Sequence, residues 1–176
     1  PHNVDVKIVD DTGREIAPGE VGEVIARGDG MTNGYLNMPE LTEEILKGGY
    51  FHTEDLATID EQGYIYLLDR KKDIIMSGGK LVASLDVEGV IYSHPSVLEA
   101  AVIGVPHAEL GQIVMAVVAL KEGEKATAEE IIEVCAHNLP PHAVPKSVEF
   151  VDRLPRNVAG KVMKHVLRQK YSVEAS

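Results

Sequence analysis

The chain has 176 residues, of which 44% are hydrophobic and 26% charged, and its formal net charge is −11 at pH 7. That length allows one domain or two small ones, and the acidic charge disfavours non-specific binding to nucleic acid, a polyanion. No apolar run approaches the roughly 20 residues that span a bilayer. The single cysteine, Cys135, cannot form an internal disulfide, so a reducing, cytoplasmic location is expected.

The first part of the chain predicts a mostly β structure. Apolar residues alternate with polar ones, β-branched residues are frequent, and glycine-containing turns separate the segments. The pattern predicts strands at 4–9, 21–27, 55–59 and 64–68, with a short helix at 39–46. We therefore expect a β-barrel-like subdomain, either a small barrel or part of one.

The second part predicts a small α+β domain with a mixed sheet and helices. Ser84 is positioned to cap a helix that ends near Tyr92, and Thr127 with Glu130 forms a capping box for a second helix. Pro106 is expected to stop the first of the apolar strands. The other predicted elements are strands at 100–105, 113–120 and 148–151, and a terminal helix at 162–170.

The two parts differ in charge. Residues 1–69 contain 4 Lys/Arg and 15 Asp/Glu, whereas residues 70–176 contain 13 of each. The change falls at a polar connector, and such composition breaks are typical of domain boundaries. We therefore predict domains at 1–69 and 70–176, joined at about 69–73. Because the chain begins at Pro1 and enters a strand almost at once, we also expect a piece of a longer protein or a processed product.

Two polar residues near this boundary are candidates for ligand contact. The Asp55 carboxylate could accept two hydrogen bonds from a vicinal diol such as a ribose, although a solvated turn acid is the alternative interpretation. Arg70 lies in the mixed-charge run 69–73 and could contact an anionic or polyhydroxylated ligand. A solvated hairpin end is the alternative for that run.

Two glycine-containing stretches are further candidates. Gly78 and Gly79 predict a tight turn that a ligand could approach closely, and an ordinary β-turn is the alternative. Gly160-Lys161 is predicted to open the last helix, where a cation could face a phosphate. The other cations of that region could instead complement the C-terminal helix dipole: Lys164, Arg168 and Lys170. No histidine or cysteine spacing indicates a metal site.

Several motifs, in their order along the chain, resemble the C-terminal part of the adenylate-forming, AMP-binding enzymes. The residues of these motifs are most similar to those of medium- or long-chain acyl-CoA synthetases. The resemblance covers essentially all 176 residues. The motifs that carry it are Gly34-Tyr35-Leu36-Asn37, Gly49 to Asp55, Gly63-Tyr64-Ile65, Asp69 to Ile75, Ser77-Gly78-Gly79, Val105-Pro106-His107, Leu154 to Asn157 and Gly160-Lys161.

The resemblance implies a carboxylate–CoA ligase that uses ATP, a carboxylic acid and CoA. Residues 1–69 would close a large N-terminal domain, whose upstream part would supply the phosphate loop, the acyl pocket and the Mg²⁺ site, so the chain would be inactive alone. Residues 70–176 would be a mobile domain. A lysine acetyltransferase is a further implied partner. The implied roles are ribose binding by Asp55 and Arg70, a hinge at Lys72, adenylation by Lys161, and CoA contacts by Gly78, Gly79 and Lys146.

Three positions depart from the family pattern. Glu54 stands where the family usually has glycine, Lys80 stands where it usually has glutamate, and 81–84 lack the usual Asn, aromatic and Pro. The departures leave two alternatives open beside the ligase: a non-catalytic binding module of the same fold, and an adenylation domain that charges a carrier protein.

Overall fold

The computed structural model describes residues 3–172. The chain divides into two compact units, Pro1–Lys72 and Asp73–Ser176. Each unit has its own sheet, and each is described below by itself.

The first unit is a four-stranded antiparallel sheet in the order β1-β2-β3-β4. Among the residues that the structure describes, β4 does not pair with β1, so the sheet is open and does not close into a barrel on its own. The elements are β1 (Val4–Val9), β2 (Val21–Gly28), α1 (Pro39–Ile45), a 3-10 turn (Lys47–Gly49), β3 (Phe51–Ile59) and β4 (Ile65–Arg70).

The core of the first unit is small, and β1 and β2 approach each other closely through their backbones. Ile8, Val9, Ile25 and Ala57 are buried there. A Cβ added at Gly22 would lie 2.5 Å from the carbonyl oxygen of Val9, so only glycine fits this crossing.

The second unit has a mixed five-stranded sheet with helices on both faces. Strands follow the order β6-β5-β8-β7 with antiparallel pairing, and β9 adds to β8 in parallel. This confirms the α+β prediction. The elements are β5 (Ile75–Ser77), β6 (Lys80–Val82), α2 (Ser84–Ile91), β7 (Val97–His107), β8 (Gly111–Leu120), α3 (Ala128–Asn138), β9 (Ser147–Phe150) and α4 (Lys164–Ser172).

The middle of the long hairpin β7–β8, 100–106 and 113–120, is apolar because both of its faces are covered. Alternate residues on one face, such as Val102, pack in a cluster that includes α2 and α3 residues. The residues between them, such as Ile103, pack in a second cluster with Leu167 and Tyr171 of α4. Strands buried on both faces read as continuous hydrophobic runs, and for this reason no period-2 alternation marks them in the sequence.

Of three helix and strand ends predicted from the sequence, the structure has one as predicted and two that differ. The Thr127 and Glu130 capping box is present at α3. Pro106 does not stop β7, which continues to His107, because β7 is an edge strand and an edge tolerates a missing N–H. Ser84 does not cap α2: Ala83 occupies that position, and the Ser84 hydroxyl accepts a hydrogen bond from Lys164.

Cys135 is buried on α3 within the larger core cluster. Burial raises the pKa of its thiol to about 11, because the apolar surroundings disfavour the thiolate. At neutral pH the side chain is a small protonated core residue rather than a nucleophile.

Candidate functional site

A cross-strand pair brings Asp55 and Arg70 together on the first unit. The two residues are direct partners in the β3–β4 register, and Arg70 Nε lies 2.8 Å from Asp55 Oδ1. Their side chains are 36% and 47% exposed, respectively. A carboxylate has about four lone-pair sites, so Asp55 keeps acceptor capacity for a ligand beside the guanidinium. The structure thus places the two predicted ribose contacts side by side.

Glu54 precedes this pair in a left-handed backbone conformation, with φ of 60°. Its carbonyl oxygen accepts a hydrogen bond from the backbone N–H of Lys71 at 2.7 Å. Arg70 Nη1 and Lys72 Nζ each lie 3.9 Å from Glu54 Oε2. Glycine adopts left-handed backbone without strain, which gives a physical reason why the family pattern has glycine at this position.

Glu54→Gly is expected to raise the free energy of unfolding by about 0.5–1 kcal/mol, because the strain of the left-handed conformation exceeds the added chain entropy. The substitution also removes the two ion pairs of the Glu54 carboxylate, but exposed pairs of this kind contribute little to stability. Denaturant unfolding followed by circular dichroism measures the change.

Glu61→Gly is the matched control for that substitution, because Glu61 is exposed in the next turn and its φ is not positive. It should lower the free energy of unfolding by about 0.5–1 kcal/mol. If both glycine variants were destabilised alike, the strain assigned to Glu54 would be wrong.

Glu23 on β2 contacts three residues around this turn, and the sequence pattern did not indicate it. Its Oε1 accepts a hydrogen bond from the Glu54 backbone N–H at 3.1 Å. Its Oε2 lies 3.4 Å from His52 Nδ1 and 3.7 Å from Lys71 Nζ. The only sequence signal was an acid that shares a strand face with the buried Ile25.

The connector between the units has one residue between two anchored neighbours. Lys71 is fixed to the first unit by its backbone bond to Glu54 and by its ammonium, 2.7 Å from Asp11 Oδ1. Asp73 is fixed to the second unit by an ion pair with Arg168 of α4. Lys72 lies between them, and its backbone N–H has no hydrogen-bond partner among residues 3–172.

Gly78 and Gly79 form the two-residue turn between β5 and β6. Both have positive φ, 57° and 75°, as the hairpin turn that links paired Ser77 and Lys80 requires. The turn is exposed, and the Gly78 N–H donates to the Leu110 carbonyl oxygen at 3.0 Å. Lys80, one of the departures from the family pattern, is exposed directly after it.

Lys161 lies on an exposed loop before α4, not at the helix start, because α4 begins at Lys164. The Asn157 side-chain oxygen accepts the Lys161 backbone N–H at 2.9 Å. Arg156 closes the loop: it donates to the Gly160 carbonyl oxygen at 2.5 Å and to Glu99 Oε1 of β7 at 2.7 Å. Within residues 3–172 the Lys161 ammonium makes no hydrogen bond or ion pair.

The glycine turn and the Lys161 loop lie at opposite ends of the β7–β8 hairpin. Ser77, beside the turn, pairs with Gly111 at the beginning of β8. Glu99, which holds the Lys161 loop, pairs with Ala119 near the end of β8. The eight steps from Gly111 to Ala119 span roughly 25 Å at the strand rise of about 3.3 Å per residue.

Lys164 begins α4 and Arg168 lies in its middle, so the predicted role of complementing the C-terminal helix dipole is wrong for them, and both form ion pairs. Lys164 is the first residue of α4, and its Nζ lies 2.7 Å from Glu88 Oε1 and 2.5 Å from Ser84 Oγ. Both charged side chains are mostly buried, 13% and 11% exposed. Glu88 also accepts the Val102 N–H at 2.8 Å. The pair fixes α4 to α2 and β7.

Lys164→Ala is expected to destabilise the second unit by about 3 kcal/mol, since removing one partner of a buried ion pair typically costs about 3–5 kcal/mol. Denaturant unfolding monitored by circular dichroism measures it. Lys164→Arg keeps the charge and the donors, so it should retain most of the stability. A Lys164→Ala change below about 0.5 kcal/mol, the size of an ordinary surface substitution, would contradict this structural role.

Lys146, the remaining predicted contact, is exposed just before β9, and its backbone N–H donates to the Val114 carbonyl oxygen at 2.8 Å. It lies beside the middle of β8, away from both the glycine turn and the Lys161 loop.

The described residues do not supply a metal site. Within 3–172, no three His, Cys, Asp or Glu side chains are placed to hold a metal ion. The family resemblance implies that an upstream region holds the Mg²⁺. No helix in the same range is long and apolar enough to span a membrane.

Part of the second unit matches a known protein family. Residues 86–161 match the family model of the AMP-binding enzyme C-terminal domain. The chain therefore contains this domain, its relatives include acyl-CoA ligases, and the solved structures similar to it are those of adenylate-forming enzymes.

Three comparisons illustrate the relationship. A feruloyl-CoA synthase of Amycolatopsis sp. is 40% identical over 167 residues, which are 95% of this chain and 34% of that protein. A long-chain-fatty-acid–CoA ligase of Escherichia coli O157:H7 is 39% identical over 168 residues, 96% of this chain and 30% of that protein. The crystal structure of ATP-bound MatB from Rhodopseudomonas palustris matches with a TM-score of 0.88 and 39% identity, covering 99% of this chain and 35% of that one. The chain thus spans about a third of the length of the relatives it matches.

Proposed function

We propose that this chain is the C-terminal part of an ATP-dependent acyl-CoA ligase that works in the cytoplasm. The whole protein activates a carboxylic acid with ATP and transfers the acyl group to CoA. An upstream region of the same protein supplies the acyl pocket, the phosphate loop and the Mg²⁺ site, so this chain alone does not catalyse the reaction. The acyl-CoA ligases among its relatives support the reaction class.

The first half-reaction forms an acyl-adenylate. The substrate carboxylate attacks the α-phosphorus of ATP, the bond to the β-phosphate oxygen breaks, and pyrophosphate leaves. Negative charge develops on the transferring group, and a positioned cation stabilises it. Lys161 is the proposed cation, because its ammonium is exposed and uncommitted among residues 3–172. Asp55 and Arg70 bind the ribose hydroxyls.

The second half-reaction forms the thioester. The CoA sulfur attacks the acyl carbonyl carbon, the bond to the adenylate oxygen breaks, and AMP leaves as the sulfur loses its proton. The Gly78-Gly79 turn lines the path of the pantetheine chain, where the lack of side chains permits close approach. Lys146 contacts the nucleotide phosphates of CoA.

The separation of the glycine turn from the Lys161 loop is the observation that carries this proposal. Their anchor points on β8, Gly111 and Ala119, are roughly 25 Å apart. One active centre therefore cannot use both at the same time without a large movement of the second unit. A domain rotation between the half-reactions meets that requirement.

The connector geometry supports Lys72 as the hinge of that rotation. Lys71 is anchored to the first unit and Asp73 to the second. A change of backbone dihedral angles at Lys72 moves one unit without breaking either anchor.

The proposed function is tested on the full-length protein by measuring AMP release that depends on ATP, a carboxylic acid and CoA. Activity that requires all three supports the ligase. Binding of AMP and CoA without turnover would favour the non-catalytic module. Acyl transfer to a carrier protein in place of CoA would favour the carrier-charging alternative, and absence of nucleotide binding would contradict the proposal.

Lys161 is also the proposed substrate of a lysine acetyltransferase, because its ammonium is exposed on a loop. Acetylation removes the charge that adenylation requires. Mass spectrometry of Lys161 peptides after acetyltransferase treatment tests this; an unmodified Lys161 with loss of activity would contradict it.

A further inference from the structure

We propose that Glu23 is a positioning residue for the nucleotide site: its carboxylate holds the Glu54 turn in the conformation that directs Asp55 toward Arg70. This inference rests on the proposed function of Asp55. Glu23 itself is not proposed to contact the nucleotide.

The carboxylate of Glu23 is both mostly buried and paired. The side chain is 13% exposed, and a mostly buried carboxylate is unfavourable unless donors surround it. Its polar partners come from the two chain segments that flank Asp55 and Arg70: the Glu54 N–H and the His52 ring of β3, and the Lys71 ammonium after β4. One carboxylate therefore connects both strands of the candidate site to β2.

The turn at Glu54 is strained and forms the crest of a bulge in β3. Between the pairs Glu23↔Leu56 and Ile25↔His52, β2 contributes one residue and β3 contributes three, so β3 bulges at 53–55. The Glu54 peptide at the crest is held from both sides, through its N–H by Glu23 and through its carbonyl oxygen by Lys71. A non-glycine residue persists in left-handed backbone only when its surroundings fix it.

The rest of the turn is held by local hydrogen bonds of Thr53. The Thr53 hydroxyl donates to the Val24 carbonyl oxygen at 2.7 Å and accepts the Asp55 N–H at 3.0 Å. Those bonds fix the two sides of the bulge but not the Glu54 N–H. Glu23 is thus the side chain that closes the turn directly before Asp55.

The test uses the full-length protein and compares the KM for ATP with the KM for the carboxylic acid in the adenylation assay. Glu23→Ala is expected to raise the KM for ATP about tenfold, the loss of one charged hydrogen bond of roughly 1.4 kcal/mol, with the KM for the acid unchanged. Glu23→Gln keeps an acceptor for the Glu54 N–H but places an amide donor near His52 and Lys71. This variant should raise the KM for ATP less than Glu23→Ala does.

The matched control is Glu20→Gln, because Glu20 also accepts a backbone N–H, that of Ala17 at 2.8 Å, outside the 53–55 turn. It should leave the KM for ATP unchanged. Adding Glu54→Gly to Glu23→Ala should restore most of the ATP affinity, since glycine adopts positive φ without support. If the KM for ATP returns toward the wild-type value without a matching rise in melting temperature, the rescue reports positioning rather than general stability.

Three outcomes overturn the inference: an unchanged KM for ATP in both Glu23 variants, an equal rise of both KM values, or no rescue by Glu54→Gly. If Glu23→Ala does not fold, the same KM measurements are made on Glu23→Gln and on Glu23→Gln combined with Glu54→Gly, and the same outcomes support or overturn the inference. Asp55→Ala distinguishes the underlying assignment, because an unchanged KM for ATP in that variant would contradict the proposed ribose contact rather than the role of Glu23.

Discussion

In the full-length protein, Lys161→Ala is expected to lower the rate of adenylation by about 10²–10³-fold, the usual cost of removing one group that stabilises transition-state charge. Conversion of supplied acyl-adenylate to thioester should continue near the wild-type rate, because the Gly78-Gly79 turn that we propose for that step is held about 25 Å away along β8. Stability should not change, since the loop is held by the Lys161 backbone and by Arg156 rather than by the lysine side chain.

The two half-reactions are measured separately, as carboxylate-dependent exchange of pyrophosphate into ATP and as AMP release from supplied acyl-adenylate with CoA. Lys125→Ala is the control, since Lys125 is an exposed lysine in the loop before α3. Equal loss of both half-reactions in Lys161→Ala would refute the assignment of Lys161 to adenylation.

Lys72→Pro is expected to have the opposite effect, lowering thioester formation by about 10²-fold while adenylation survives, because a small misplacement of reacting groups has that cost. Proline fixes φ near −65° and restricts the residue before it, so the hinge cannot pass between two arrangements. The substitution removes no backbone hydrogen bond, since the structure gives the Lys72 N–H no partner among residues 3–172.

Lys72→Ala is the matched control for the proline variant, because it removes the charge but leaves the backbone free. Both half-reactions should then remain close to wild type. The hinge assignment fails if Lys72→Pro forms thioester normally, or if Lys72→Ala shows the same selective loss.

Local patterns predicted much of the fold. Alternation indicated β1 and β2, and the Thr127–Glu130 spacing indicated the α3 capping box. The errors occurred where a distant residue decides the structure. Ser84 has the local pattern of a helix cap, but Lys164, 80 positions later, bonds to it. Lys164 has the pattern of a dipole partner, yet it pairs with Glu88 across the fold.

The candidate site was predictable only in part, for a related reason. Asp55 and Arg70 were named from the sequence, and the strand register shows why they lie together. The left-handed conformation of Glu54 could not be predicted, because it results from a bulge whose position depends on pairing with β2. Glu23 was missed because a single acid in an alternating strand does not reveal which distant donors it meets.

The structure also gives reasons for two of the departures from the family pattern. Serine at 84 supplies a hydroxyl that Lys164 uses, which proline could not provide. Glutamate at 54 is accommodated where glycine is favoured because Glu23 and Lys71 hold its peptide. Lys80 is exposed beside the glycine turn, and nothing in the structure explains that substitution.

The anchored neighbours of Lys72 limit the conformational freedom of the connector between the units. With Lys71 and Asp73 each tied to its own unit, only a few backbone torsions remain to be frozen when the protein selects one arrangement. Fixing one residue costs about 1–2 kcal/mol of conformational entropy. In the proposed rotation at Lys72, a bound substrate therefore has little linker entropy to overcome, and modest differences in ligand affinity are enough to select either of the two proposed arrangements.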